Sequence, residues 1–315
     1  MRQTRRAIAL FLLVCSILVP LPVGARQAAA NPFAELGLPE LAVTITDTAI
    51  EGAPAERTAG RYVLAVTNDS TAGAPPVVSA GVGFLQPPEG MTAADLIAFF
   101  ATMATGPDGG ASPVASPGAA AEMEGPPPWY YEVPLAGGIY ALPGETAYTV
   151  LDLAAGEWVL WAEDPTAPRP PVAITVTGEA PANQPVPEAD VTITMTEMAF
   201  ALDQPLAAGP QIIALTNEGQ QPHFLVLATV PDGTTVDDVL QLSMTFMDPS
   251  ATPPPNLSFE QMQDIANTAD LSAGITNWFS VDLESGSYLL VCFVPDQETG
   301  IPHAMLGMID VVTVP

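Results

Sequence analysis

"PGETAYTVLDLAAGEWVLWA" (Pro143–Ala162) and "AGITNWFSVDLESGSYLLVC" (Ala273–Cys292) are two versions of one pattern. Each holds two runs rich in β-branched and aromatic residues, separated by a Gly-containing turn, which is the signature of paired strands. Three more blocks recur in the same order. "VTITDTAI" (Val43–Ile50) matches "VTITMTEM" (Val191–Met198), and "YVLAVTND" (Tyr62–Asp69) matches "QIIALTNE" (Gln211–Glu218). "PEGMTAADL" (Pro88–Leu96) matches "PDGTTVDDV" (Pro231–Val239). The period is too long for a solenoid repeat, so the pattern predicts a tandem of globular units.

Between the copies, "TGEAPANQPVPEAD" (Thr177–Asp190) lacks apolar periodicity and reads as a linker. The expected organisation is therefore a first unit over 40–178, a linker over 179–189 and a second unit over 190–315. Many short strands with turn signals predict an all-β fold of two tandem β-sandwiches. Each unit also carries a short helical insertion. In "TTVDDVLQLSM", Thr235 caps and Asp238 sits at the third helical position; "TAADLIAFFATM" repeats this, and Ser258 with Gln261 predicts a further start. The Pro/Gly/Ala/Ser-rich stretch Thr105–Pro128 is expected to be a disordered loop.

The chain has 315 residues, is 48% hydrophobic and 13% charged, and so can bury two cores. Residues 1–30 read as a secretory signal: "MRQTRRA" is basic, "IALFLLVCSILVPLPV" is apolar, and small residues follow. Adjacent Arg5 and Arg6 leave Sec and twin-arginine routes both open. Cys15 follows Val14 inside the apolar run and is read as part of the signal, not as a lipid anchor. No later run is long enough to span a bilayer. The expected location is secreted or periplasmic.

Beyond residue 30 only Arg57, Arg61 and Arg169 are basic, against 35 acids. Such a chain is repelled by nucleic acid and anionic membranes, and steers toward a basic partner. After signal removal a single cysteine remains, so no intrachain disulfide is available to explain it.

That cysteine is Cys292, which ends the strand-like "SYLLVC". His223 begins "HFLVLA", and His303 and Met308 precede the last strand. Two imidazoles, a thiolate and a weak thioether form a trigonal set with a long axial bond, which suits copper in both oxidation states. Zinc seldom takes a thioether. Aligning the copies sets Ala162 opposite Cys292, and the first unit has no histidine. The second unit thus gathers all the Cys and His of the exported chain.

The order His, Cys, His, Met, the His-x4-Met interval and the approach "TNEGQQPH" resemble the cupredoxins, the small blue copper proteins. The resemblance implies Greek-key sandwiches. It implies one type 1 copper held by His223, Cys292, His303 and Met308, with Met308 preferred to Met305. It also implies outer-sphere electron transfer with a redox partner protein rather than catalysis. The last-loop ligand would lie nearest the surface, within an apolar rim of Ile301, Pro302, Ala304 and Leu306. With two histidines in the chain, no second copper centre of the multicopper-oxidase kind can be built. One departure stands: ten residues, "FVPDQETGIP", separate Cys292 from His303. They leave open a second reading, a non-redox binding or copper-sequestering module whose loop is structural.

Overall fold

In the computed structural model, the described residues are 30–71, 79–105, 126–162, 169–247 and 250–315. The expected signal and most of the expected disordered loop lie outside them. The first copy supplies β1 (Glu40–Ile45), β2 (Ile50–Glu51), β3 (Glu56–Thr58), β4 (Gly60–Asn68), β5 (Ala80–Leu85), α1 (Ala93–Thr105), β6 (Leu135–Ala141), β7 (Thr146–Leu153), β8 (Gly156–Trp161) and β9 (Val172–Thr177). The second supplies β10 (Val191–Thr196), β11 (Ala199–Leu202), β12 (Gly209–Asn217), β13 (Val226–Val230), α2 (Val236–Met247), β14 (Gln263–Thr268), β15 (Thr276–Leu283), β16 (Gly286–Val291) and β17 (Ile309–Val314).

Each copy is a two-sheet sandwich whose chain switches sheets between β4 and β5, and between β12 and β13, in the Greek-key manner. Alternation of side chains puts every second residue of β1 and β10 inward, as the buried Leu41, Val43 and Ile45 and the buried Val191, Ile193 and Met195 demonstrate. The pairing corrects the first repeat block. Leu41 aligns with Leu64 while Val191 aligns with Ile213, so the structural counterpart of Val191 is Leu41, not Val43. A two-residue slip keeps every side chain on its own face, so the alternation tolerates it.

The sandwiches share their sheets. One sheet runs β11-β10-β12-β15-β7-β4-β1-β2 and the other β17-β16-β13-β14-β6-β5-β8-β9-β3. Between the copies β15 pairs antiparallel with its counterpart β7, and β14 with its counterpart β6, which relates the copies by a pseudo-twofold axis. The approach is close at Gly137 (φ +81°), where a Cβ would fall 2.0 Å from Asn277 Nδ2. A single core runs through both copies, from Leu64, Phe84 and Leu160 to Ile193, Phe279 and Leu290. Each such side chain contributes roughly 1.5–3 kcal/mol on burial.

The junction carries polar ties as well. Arg61 donates to both oxygens of Asp152 (2.9 and 2.7 Å), and its guanidinium carbon lies 4.9 Å from the centroid of Trp278 in the second copy. The linker-region Gln184 exchanges hydrogen bonds with the backbone of Arg61 (2.7 and 3.0 Å).

The helix starts form as expected. Thr235 and Asp238 cap α2 reciprocally, as Thr92 and Asp95 cap α1. Ser258 and Gln261 also form a capping box, but the helix they open is a single 3-10 turn, Phe259–Gln261. Among the described residues no helix is long and apolar enough to cross a membrane.

Candidate metal centre

Three segments deliver the side chains. The first is the loop after β12, organised by the fully buried Asn217. Its Nδ2 donates to Gln221 O (2.8 Å) and Leu271 O (2.7 Å), and its Oδ1 accepts from Gly219 N (2.8 Å). The loop delivers His223, whose backbone exchanges both hydrogen bonds with Leu271 (3.1 and 2.8 Å). The second segment is the end of β16, where Cys292 N donates to Met308 O (3.2 Å) and Cys292 O accepts from Ala304 N (2.8 Å).

The third is the long Cys–His interval, which is a small hairpin. Pro295 faces Pro302, Asp296 N donates to Ile301 O (2.9 Å), and His303 N donates to Val294 O (2.8 Å). Asp296 closes its turn by accepting from Thr299 N (2.9 Å) and Thr299 Oγ1 (2.6 Å). These bonds, with that from Gln221, hold its carboxyl near 2, Thr299 first. Gln221 ties the hairpin to the His223 loop: its Nε2 donates to Asp296 (2.9 Å) and its Oε1 accepts from Gln297 N (2.8 Å). The chain therefore leaves Cys292, turns, and returns His303 to its side.

The result is a triangle of donor atoms. His223 Nδ1 and His303 Nδ1 are 3.0 Å apart, and Cys292 Sγ lies 3.9 and 3.8 Å from them. A circle through three atoms so spaced has a radius of about 2.1 Å, within the ~2.0–2.3 Å span of metal–imidazole and metal–thiolate bonds. His223, Cys292 and His303 have no exposed surface. Neutral imidazole nitrogens facing each other at this distance need a shared proton or a cation between them. The donor set therefore fits a thiophilic metal ion. Met308 is also fully buried, and its N–H donates to His303 O (2.9 Å), so it borders both neighbouring ligands through its backbone.

Electrostatics agree with a neutral resting cage. Burial, then the charge of His303, pushes His223 down to about 4, against Glu197 acting upward. Burial also lowers His303. Burial drives the Cys292 thiol up to about 12, although the amides of Phe224 and Val294 favour its thiolate.

Glu197 was not anticipated from the sequence. It stands in the turn between β10 and β11, with Oε1 3.7 Å from His223 Nε2, a buried atom with no hydrogen-bond partner. Burial raises its carboxyl, but the amides of Gln220 and Gln221 and the histidine charge outweigh this and hold it low. Its counterpart by strand register is Asp47, which likewise accepts from the matching loop at Thr71 N (2.6 Å), but the sequence blocks set Asp47 against Met195 and hid the equivalence. The next residue, Met198, is the one non-glycine among the described residues with positive φ (64°), a strain of the kind found beside functional sites.

One expectation about the rim is corrected: Ala304, in the 3-10 turn His303–Leu306, is buried. The exposed apolar rim is Phe293, Ile301 and Leu306, with Pro302 partly covered.

No protein-family profile matches the chain, and no curated protein does either. Among solved structures, auracyanin from Roseiflexus castenholzii is 21% identical over 39% of this chain and 94% of its own (TM-score 0.26). Auracyanin A, a "blue" copper protein from Chloroflexus aurantiacus, is 19% identical over 39% and 99% (0.24). The copper nitrite reductase of Nitrosomonas europaea is 10% identical over 88% and 93% (0.22). All three likenesses are distant, and the chemistry of the centre rests on the side chains of this chain.

Proposed function

We propose that this chain is an exported copper protein with one type 1 centre, held by His223, Cys292, His303 and Met308, and that it carries electrons by outer-sphere transfer. The observation that carries the reading is the closed triangle of two Nδ1 atoms and one sulfur. Copper would supply a Cu(II)/Cu(I) couple. The chain supplies the rest: soft sulfur and imidazole donors suited to both states, a dry cage, and a hairpin tied at both ends. A cage that is already formed asks for little rearrangement when charge changes.

In this reading the first unit, 40–178, is a metal-free copy, the second, 190–315, is the copper unit, and residues 1–30 are the export signal. The partner is a redox protein whose basic surface answers the acidic chain, docking over Phe293, Ile301 and Leu306. Nucleic acid is excluded by charge. Both histidines are committed to one centre, so a catalytic second copper has no imidazoles to use. The alternative, a sequestering module with a structural loop, was motivated by the long Cys–His interval. The hairpin that returns His303 removes that motive.

The test is direct. Cu(II) added to purified protein is expected to give an intense blue or green thiolate-to-copper band that Cys292→Ala abolishes and that reductant bleaches reversibly. A colourless complex, or no uptake, would overturn the reading.

A further inference from the structure

We infer that the metal-free copy is the external brace of the metal centre, acting through Tyr130 and Tyr131 as positioning residues; the inference rests on the copper reading above. Both tyrosines belong to the 3-10 turn Pro128–Tyr131 of the first copy, and their rings meet edge to face, centroids 5.3 Å apart. Their hydroxyls reach across the pseudo-twofold junction to different segments. Tyr131 Oη donates to Pro295 O (2.8 Å), on the outgoing arm of the hairpin and opposite Pro302, the residue before His303. Tyr130 Oη donates to Asp270 Oδ2, beside Leu271, whose backbone fixes both the N–H and the C=O of His223.

The grip continues down the chain. Ser272 Oγ donates to Val133 O (3.0 Å) and accepts from Leu135 N (2.8 Å), and Ala136 bridges to Leu271. The seven residues Tyr130–Ala136 of the first copy therefore hold the neighbours of both histidines. The hairpin needs such a hold. It carries its own backbone bonds and turn, with the two Gln221 bonds at the Asp296 end, and its outer surface includes the exposed Phe293 and Ile301. A loop of this kind opens locally unless something outside it removes that freedom.

The experiment compares Tyr131→Phe with Tyr62→Phe in the full chain. Tyr62 Oη donates to Thr58 O (2.6 Å) within the first copy, so its loss matches the chemistry away from the junction. Loss of the Tyr131 hydroxyl is expected to speed hydrogen exchange of the metal-free protein at the Asp296, Gly300 and His303 amides about tenfold, and to shift the thiolate-to-copper band of the loaded protein. Tyr62→Phe should leave both unchanged. Tyr130→Phe, read at the His223 amide, tests the second grip independently and serves if Tyr131→Phe does not fold. Unchanged exchange in both junction variants would overturn the brace. Uptake of no copper by the wild type would overturn the proposed function instead, while the exchange comparison still decides the brace.

Discussion

The two copies share a scaffold and differ in what stands at a few equivalent positions. Asn68 and Asn217 organise the same loop: Asn68 Nδ2 donates to Ala141 O (2.9 Å) as Asn217 Nδ2 donates to Leu271 O (2.7 Å). By the same ladders Ala80 occupies the place of His223, Ala162 that of Cys292, and Pro170 that of Met308. At the place of Gly307 the first copy has the buried Arg169, whose Nε donates to Thr46 O. The sandwich therefore folds with or without donors. The donors are additions to a frame that does not need them.

The largest effect that sharpens this comparison comes from giving the second copy the first copy's residue. His223→Ala is expected to eliminate coloured copper binding while leaving the fold intact, with thermal stability in the absence of metal changed by no more than about 2 kcal/mol. Absorbance titration and a metal-free melt measure the two halves. Loss of the fold would mean that the donors are part of the frame after all.

Next is the pH dependence of the cage. His223 and His303 are held below their ordinary value and are neutral at pH 7, whereas the Cys292 thiol keeps its proton. Copper uptake near pH 7 should therefore release about one proton per ion, from the thiol alone. Affinity should rise with pH about tenfold per unit between pH 7 and 9. A pH-indicator dye during titration counts the protons, and two or more would show that an imidazole is protonated at rest.

Asp270 gives a third contrast, since Tyr140 fills its place in the first copy. Burial raises its carboxyl to about 6, opposed by the bond from Tyr130. The folded state thus keeps a proton that the unfolded chain loses near pH 4. By linkage, this group's contribution to stability is greatest below pH 4, falls as pH rises from 4 to 6, and stays lost above that. Asp270→Asn should flatten this segment of the profile and raise stability at pH 7 by on the order of 1–3 kcal/mol, as denaturant melts at pH 4 and 7 would read.

The smallest effect is at Glu197. Removing its charge beside His223 with Glu197→Gln should raise the copper potential by on the order of tens of millivolts, since the carboxylate favours the more positive ion and is partly solvated. Voltammetry of both proteins measures it, and an unchanged or lowered potential would count against the coupling.

Much of this frame was legible in the chain. Strand periodicity, the duplication and three capping boxes follow from side-chain spacing, which is local information. The order and spacing of His223, Cys292, His303 and Met308 pointed to the centre, and Pro295, Gly300 and Pro302 pointed to a stiff excursion. What could not be read was long-range. Pairing of β6 with β14 and β7 with β15 uses backbone groups that every residue carries, so it leaves no mark in composition. Gln221 reaching Asp296 and Tyr131 reaching Pro295 are single hydrogen bonds across 75 and 164 residues. Glu197 was hidden among 35 acids, and its equivalence with Asp47 emerges only from the strand register.

The shared sheets have a consequence for how the molecule comes apart. Two sandwiches on a flexible tether would melt separately, and a partner could pull them apart by bending the tether. Here separation means breaking two backbone ladders at once and splitting one apolar core. The chain should melt as one cooperative body, with the copy that carries no donors setting the temperature at which the other loses its own.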